Sequence, residues 1–419
     1  MSIRFARAAA CAIALAAAPF SAIAEELPRA APGDVGLSAD RLARLDARLG
    51  HEVSSGKIPG GIITIVKDGK IVHQTTMGAL TEGGPEMTED AIFRIYSMTK
   101  PIVSVAALML MEQGRLPLFA PVSAFIPEFK DTQVFTGEVD DEGAPKTAPA
   151  RRAMTVQDLL RHTSGLTYGF FGAGPVREAY RKAGVGVGGI PGTAQDHARQ
   201  LAALPLEHEP GTTWEYSRST DVLGAVLEVV TGKPLGELLE EMIFTPLDMQ
   251  DTGFFAPESK HARLAEPKEG DGLAGNPLFD QRSAPEFESG GGGLVSTARD
   301  YARFAEFLLN GGELDGVRLL GKSTVEFMTS DHLGANIKPG KYYLPGAGAG
   351  FGLGVGVRTE RGVGPTNLPV GAYWWGGAGG TYWYNVPGQD MAVIWMMQSP
   401  SRRVPLRPVL IDMVQAAVE

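Results

Sequence analysis

The chain has 419 residues, of which 44% are hydrophobic, and a formal net charge of −10. This leaves room for a large core in one big domain or two, while the acidic balance excludes a nucleic-acid partner, which needs a basic face. The only cysteine is Cys11, so a thiolate metal site and an internal disulfide are excluded as well.

Residues 1–24 hold a short basic start (Arg4, Arg7), an Ala-rich apolar run and the small-residue site Ala22-Ile23-Ala24. These are the three parts of a secretory signal. The expectation is export, with cleavage near Ala24 and a periplasmic or secreted mature chain free of thiols, as suits an oxidising compartment. No later segment approaches the ~18 uninterrupted apolar residues of a membrane span.

After a linker from Pro28 to Gly36, Ser38 begins a helix with Leu42, Leu45 and Leu49 on one face. Ile62 to Val66 and Ile71 to His73 flank Asp68-Gly69, a β-hairpin signal. Ser97 and Lys100 then stand three apart at the start of an apolar helix opened by Pro101. Positions i and i+3 share a helix face, so hydroxyl and amine can touch. A desolvated lysine can activate a serine hydroxyl as nucleophile. Ser54 and Lys57 have the same spacing, but Gly56 and Pro59 make that stretch a loop.

From about residue 116 to 284 strand signals thin out and short helices alternate with Gly- and Pro-rich loops. Asp221 to Val230 is one such helix, stopped by Gly232, and Pro234 opens the next. Strand patterns return after the helix carrying Tyr301, Phe304 and Leu308. Phe351 to Thr359 alternates Gly with apolar residues, and Tyr382–Val386 and Met391–Met396 form a second hairpin before a final helix from about Pro405 to Val418. Strands at both ends with helices between predict one sheet built from both termini.

Some formal motifs lack their context. Gly316 to Ser323 matches a phosphate loop, but no buried strand precedes it. It reads as a hairpin-like turn followed by a helix capped at Ser323 with Glu326 three residues on. Gly184, Gly186 and Gly189 follow a helical stretch instead of a strand, and read as a loop near the cleft. The seven histidines show no metal-ligand spacing, so no metal and no cofactor are expected. His162 lacks a Gly-x-Ser-x-Gly partner for a triad and reads as a loop histidine bonding neighbouring backbone.

Two later segments complete a constellation: Pro210-Gly211 through Tyr216-Ser217-Arg218, and Trp375-Gly376-Gly377-Ala378. A tyrosine near a lysine ammonium loses its proton more easily and can shuttle it between Ser97, a leaving group and water. Glycines beside a strand let backbone approach a substrate, and an amide there can join that of Ser97 as an oxyanion hole.

In order, Phe93 to Pro101, Asp158 to Leu166, Pro210 to Ser217, Gly291 to Leu294 and Trp375 to Gly377 resemble the motifs of the serine β-lactamase and penicillin-binding-protein superfamily. The likeness is greatest to the family VIII carboxylesterases, which share the class C β-lactamase fold. The resemblance implies an α/β fold in which an antiparallel sheet built from both termini is flanked by helices. Residues 25–115 and 285–419 would form that lobe and 116–284 a mostly helical inserted one. It implies Ser97 as acylated nucleophile, Lys100 as its activator and Tyr216 in acid/base transfer. The amides of Ser97 and Ala378 would form the oxyanion hole, with Ser217, Arg218, Trp375, Gly376 and Gly377 contacting substrate. Which of Lys100 and Tyr216 takes the first proton stays open.

Two departures bear on substrate. Arg218 stands where class C enzymes have Asn, and Trp375 replaces the lysine of Lys-Thr-Gly. A charge-assisted bond to a β-lactam carboxylate contributes ~1.5–3 kcal/mol, so its loss weakens β-lactam recognition at least about tenfold. An aromatic there suits uncharged esters, with Tyr168, Phe170, Phe171, Trp374 and Trp383 as candidate apolar walls. The expectation is an esterase acting on small-molecule esters with short acyl chains, with weak β-lactam hydrolysis beside it. A β-lactamase, a D-alanyl peptidase or an acyltransferase is the alternative within the superfamily. A non-catalytic binding protein on the same scaffold would have no need of Ser97, Lys100 and Tyr216 together.

Overall fold

Strands from the two ends of the chain meet in one antiparallel sheet. The computed structural model describes residues 26–185, 192–272 and 280–419; the expected leader, with Cys11, and Gly186 and Gly189 lie outside the described residues. The strands are β1 (Gly60–Lys67), β2 (Lys70–Gly78), β3 (Ala349–Phe351), β4 (Gly356–Arg358), β5 (Tyr373–Gly376), β6 (Tyr382–Val386) and β7 (Met391–Met397). Their order in the sheet is β3-β4-β5-β6-β7-β1-β2. β1 therefore lies between its hairpin partner and the last strand of the chain, with Ile63 opposite both Thr75 and Trp395.

The β1–β2 turn has φ of 51° at Asp68 and 71° at Gly69, the left-handed pair that a two-residue hairpin requires. Alternate residues of β1 serve the two faces of the sheet. Ile63 and Ile65 pack with Leu42, Leu45 and Leu49 of α1 (Ala39–Ser54) and Leu406 and Leu410 of the C-terminal helix. Ile62 and Val66 face the main core, which holds most of α2 (Thr99–Glu112) and the apolar side of the helix Ala298–Leu309.

Helices dominate the middle of the chain as the pattern predicts. They include Val156–Leu160, Pro175–Lys182, Ala194–Ala202 and α3 (Ser219–Thr231), then Leu235–Leu239 running into a π-helical turn at Glu240–Phe244. Besides a short parallel pair, Thr213–Trp214 with Lys338–Pro339, two strand pairs depart from the prediction. Gln133–Val139 pairs with Pro145–Pro149, and Ile92–Arg94 with Val295–Thr297. The first pair is mostly exposed, so it carries no apolar alternation to read. The second joins strands of three residues each across two hundred residues of sequence.

Gly316 is in the turn of a hairpin, Glu313–Leu314 with Val317–Arg318, with φ of 51° at Asp315 and 76° at Gly316. The helix after it, Lys322–Met328, is capped at Gly321, not at Ser323. The Gly321 amide donates to Glu112 Oε1 at 2.8 Å, so no anion cradle forms. The remaining two helices used below are α4 (Ala298–Leu309) and α5 (Arg403–Ala417). Among the described residues no helix is long and apolar enough to cross a membrane.

Candidate active site

Ser97 sits in a single 3-10 turn, Tyr96–Met98, that leads into α2. Tyr96 has φ of 45°, a left-handed conformation that costs a non-glycine residue energy and persists only where its surroundings enforce it. Here the Ile95 amide donates to Leu294 O at 3.0 Å, and Tyr301 Oη of α4 donates to Met98 O at 3.0 Å. These bonds hold the turn from both sides. Ser97 is left half-buried and Lys100 fully buried one helical turn on.

Lys100 Nζ donates to Ser97 Oγ at 3.3 Å, to Tyr168 Oη at 3.2 Å and to Gly291 O at 2.6 Å. Three acceptors match the three hydrogens of an ammonium. Burial pulls the Lys100 pKa down, but Tyr168, Tyr216 and the Asp221 carboxylate outweigh it and hold the amine above its ordinary range. Tyr216 Oη bonds Ser97 Oγ at 2.6 Å, and Lys100 Nζ lies 4.6 Å from the centre of the Tyr216 ring. The three side chains singled out in the sequence thus meet at one oxygen, although Tyr216 is 119 residues from Ser97.

The Asp158–Leu166 motif explains how Tyr216 arrives there. Asp158 closes a capping box with Thr155 and also accepts from Thr163 Oγ1 at 2.7 Å and from Arg152 and Arg161. The pinned loop bonds the Tyr216 segment through backbone: Glu215 N to His162 O at 2.9 Å and Gly211 N to Thr163 O at 2.7 Å. Gly165 is required, since a Cβ there would lie 2.1 Å from His208 O. His162, expected to bond neighbouring backbone with its side chain, instead has Nδ1 3.2 Å from Ser217 Oγ and its ring against that of Tyr216. Burial first, then the Lys100 charge, hold it well below its usual pKa. It is a neutral packing residue.

Two residues that the sequence did not flag complete the interior. Tyr168, read there only as an apolar wall, is a hydrogen-bond partner of Lys100, its phenol pushed up to about 12 chiefly by burial. Asp221 accepts from Ser289 Oγ at 2.6 Å and from the Gly291 amide at 2.9 Å, and pairs with Arg218 at 3.3 Å. No local pattern announces the Tyr168–Lys100 or the Asp221–Gly291 contact, whose partners lie 68 and 70 residues apart.

The expected substrate contacts divide. Trp375 lies beside the site, its ring 5.5 Å from that of Tyr216. The turn after it packs on the segment entering Ser97: Thr381 Oγ1 donates to Ile95 O at 3.3 Å, and a Cβ on Gly377 would lie 2.5 Å from the same oxygen. Ala378 is carried by this turn. Arg218 and Ser217 are turned inward instead. Arg218 pairs with Asp221 and stacks 5.1 Å from the Tyr168 ring centre, and Ser217 is fully buried between His162 and Ser219. The space beside Gly376 is filled by Arg407, 2.4 Å from where a Cβ would stand. Trp374 and Trp383 are not walls either. Trp374 projects to the α1/α5 face of the sheet, and Trp383 is covered by Tyr301 and Phe304 of α4. Among the described residues no group of three or more His, Cys, Asp or Glu could hold a metal ion.

The family model described as Beta-lactamase matches residues 42–415. The chain belongs to the beta-lactamase family. Esterase EstB of Burkholderia gladioli is 30% identical over 374 residues, covering 83% of this chain and 88% of EstB. The solved structure of EstCE1, described as a hydrolase with promiscuous acyltransferase activity, superposes with a TM-score of 0.73 at 26% identity over 91% of this chain and 99% of that one. Simvastatin synthase LovD of Aspergillus terreus shares the fold at a TM-score of 0.74 and 24% identity, over 90% and 99% of the two chains. Membership of the beta-lactamase family, with esterase relatives, and the mixed α/β architecture around a large antiparallel sheet agree with the motif resemblance.

Proposed function

We propose that this protein is a serine hydrolase that cleaves carboxylic esters, short acyl chains first, through an acyl-enzyme on Ser97. One observation carries the reading: Ser97 Oγ has Tyr216 Oη at 2.6 Å and Lys100 Nζ at 3.3 Å. The Lys100–Tyr216 pair reacts when it is one proton short, as an ammonium beside a phenolate, and the Tyr216 oxygen then takes the Ser97 proton as Oγ attacks the ester carbonyl carbon. The lysine charge offsets the negative charge Tyr216 carries as a base. The carbonyl oxygen becomes an oxyanion between the amides of Ser97 and Ala378. Tyr216 then returns the proton to the alcohol oxygen, the C–O bond breaks and the acyl group stays on Ser97. Water repeats the sequence and releases the acid.

The esterase relatives and the aromatic Trp375 in place of a cation support esters over β-lactams. Short acyl chains are supported by crowding: the rings of Tyr168, Phe171, Trp214 and Trp375 all lie within 6.0 Å of the Tyr216 ring. Acyl transfer to an added alcohol is a second reading, favoured by the likeness to EstCE1. We also retain export through the leader, supported by its three-part pattern, and the two-lobe division at residues 115 and 285, supported by a main sheet drawn wholly from 60–78 and 349–397.

The test is Ser97→Ala, which is expected to abolish p-nitrophenyl butyrate turnover and the mass gained from a fluorophosphonate. Retained turnover would refute the nucleophile. A higher kcat/KM for nitrocefin than for the ester would move the protein to the β-lactamases.

A further inference from the structure

The two amides assigned to the oxyanion hole belong to different segments. That of Ser97 follows the strand Ile92–Arg94, and that of Ala378 stands in the turn after β5. Both must point at one spot, and donors fixed in advance need no rearrangement as charge develops. The turn holds Gly377, Gly379 and Gly380, which offer no side chains to anchor it. Its place is set by what grips it from outside.

Two adjacent residues at the end of β7 reach both segments. Gln398 is 2% exposed and Ser399 is fully buried. Gln398 Nε2 donates to Arg94 O at 3.0 Å, three residues before Ser97. The Ser399 amide donates to Gly379 O at 2.6 Å, directly after Ala378. The packing here is close. A Cβ on Gly379 would lie 2.5 Å from the Tyr96 ring and 3.1 Å from Gln398 Oε1, and one on Gly380 would lie 2.6 Å from Met397 Cε. The end of β7 is thus a spacer between the nucleophile's strand and the turn.

A strap from the middle of the chain, residues 264–272, anchors that spacer. Leu264 bridges Ile92, and the Ala265 amide donates to Ile92 O at 2.9 Å. Glu266 pairs with Arg94. Further along, Asp271 accepts from Ser399 Oγ at 2.6 Å and from the Ser401 amide at 3.0 Å. One short segment therefore holds the strand leading to Ser97 at one end and the residue gripping the Ala378 turn at the other. Gln398 Oε1 is buried without a partner. An unmade buried acceptor costs ~1–3 kcal/mol, so an apolar side chain would fill that space at less cost. What glutamine adds is its donor to Arg94 O.

We propose that Gln398, Ser399 and Asp271 are positioning residues that set the separation of the Ser97 and Ala378 amides, and with it the fit of the hole to a tetrahedral oxyanion. This rests on the ester-hydrolase reading of the same site.

The test uses Asp271→Ala, which removes a half-buried side chain of the strap, and Gln398→Met, which removes the donor to Arg94 O together with the orphaned Oε1. Unfolding midpoints are expected to change little. Turnover of p-nitrophenyl butyrate is referred to the fraction of chains that take up a fluorophosphonate, so that unfolded protein does not count. In both variants kcat is expected to fall about tenfold with KM little changed, less than the ~100-fold or more of losing an oxyanion donor outright. The inhibition constant of butyl trifluoromethyl ketone is expected to rise by a similar factor. Ser97 Oγ adds to the ketone carbon, the Ser97 proton passes to the Tyr216 oxygen, and the ketone oxygen becomes an alkoxide in the hole. A merely structural role would leave that constant unmoved. An unchanged kcat in either folded variant, or a lowered kcat with the ketone constant unmoved, overturns the proposal. Should Gln398→Met fail to fold, Asp271→Ala decides alone. Activity surviving Ser97→Ala would instead sink the esterase reading beneath it.

Discussion

Two buried carboxylates in this protein have opposite fates. Asp221, behind the candidate active site, is fully buried, and burial alone raises a carboxyl pKa. Arg218, then His197, the Ser289 hydroxyl and Lys100 overcome that cost and hold it below its ordinary value. Glu306, on α4 beside the hairpin turns, is also raised by burial and has no such company. Asn310 donates to Oε1 at 3.0 Å, Oε2 has no partner, and Asp390 and Asp68 add repulsion, so its pKa is pushed up to about 7. Burial does not decide charge; the neighbours do. Near Ser97 pairing keeps Asp221 ionised and holds Lys100 in register. At the hairpin turns the chain tolerates a carboxyl that is protonated over much of the acidic range.

The largest expected effect comes from breaking the paired side. Asp221→Asn removes the carboxylate that pairs with Arg218 and weakens the hold on the Gly291 segment that accepts from Lys100. A broken buried pair costs ~3–5 kcal/mol, to be read as a lower midpoint in urea unfolding at pH 7. Since the Asp221 pKa is lowered on folding, its contribution is complete above the usual carboxylate range and is lost as pH falls through the native value. The gap between variant and parent is therefore expected to narrow in acid.

A smaller effect follows from Tyr168→Phe, which keeps the ring on Arg218 and removes one of the three acceptors around the Lys100 ammonium. A bond to a charged group contributes ~1.5–3 kcal/mol, so kcat on p-nitrophenyl butyrate is expected to fall about tenfold or more with KM little changed. Equal kcat in the two proteins would leave Tyr168 as packing alone.

The smallest effect sharpens the unpaired side. Glu306 binds its proton more tightly folded than unfolded, so the stability it contributes is present in acid and is lost as pH rises from about 4.5 to about 7. Glu306→Gln is expected to raise the thermal midpoint at pH 8, by about 1–2 kcal/mol of stability, and to leave it nearly unchanged at pH 4. A variant less stable than the parent at pH 8 would show that Glu306 is paired after all.

What was legible in the sequence is what is local. Ser97 and Lys100 meet because three residues make one helical turn, and the Asp68-Gly69 turn is written in two adjacent residues. The periodicity of α1, α3 and α4 was visible for the same reason. Tyr216 came from the order of motifs, not from geometry. Tyr168 and Asp221 were missed as partners of the site because each contact joins segments tens of residues apart. The tryptophans show a different failure. Neighbours on a strand face opposite ways, so with Trp375 toward Tyr216, Trp374 had to point to the other face, a parity the pattern of β5 already contained. Trp383 sits opposite Trp375 and on its face, and only the position of α4 removes it from the cleft.

The place of β1 in the sheet has a consequence for how the molecule comes into being. Its hairpin with β2 can close as soon as both are synthesised, but its other edge waits for β7, some three hundred residues later. Until then a row of β-branched residues has an open flank, the sort of edge that recruits strangers. The nascent chain must keep that edge from aggregating until its own last strand arrives, and a ribosome that stops short of Met391 would release a protein with its central strand unmarried.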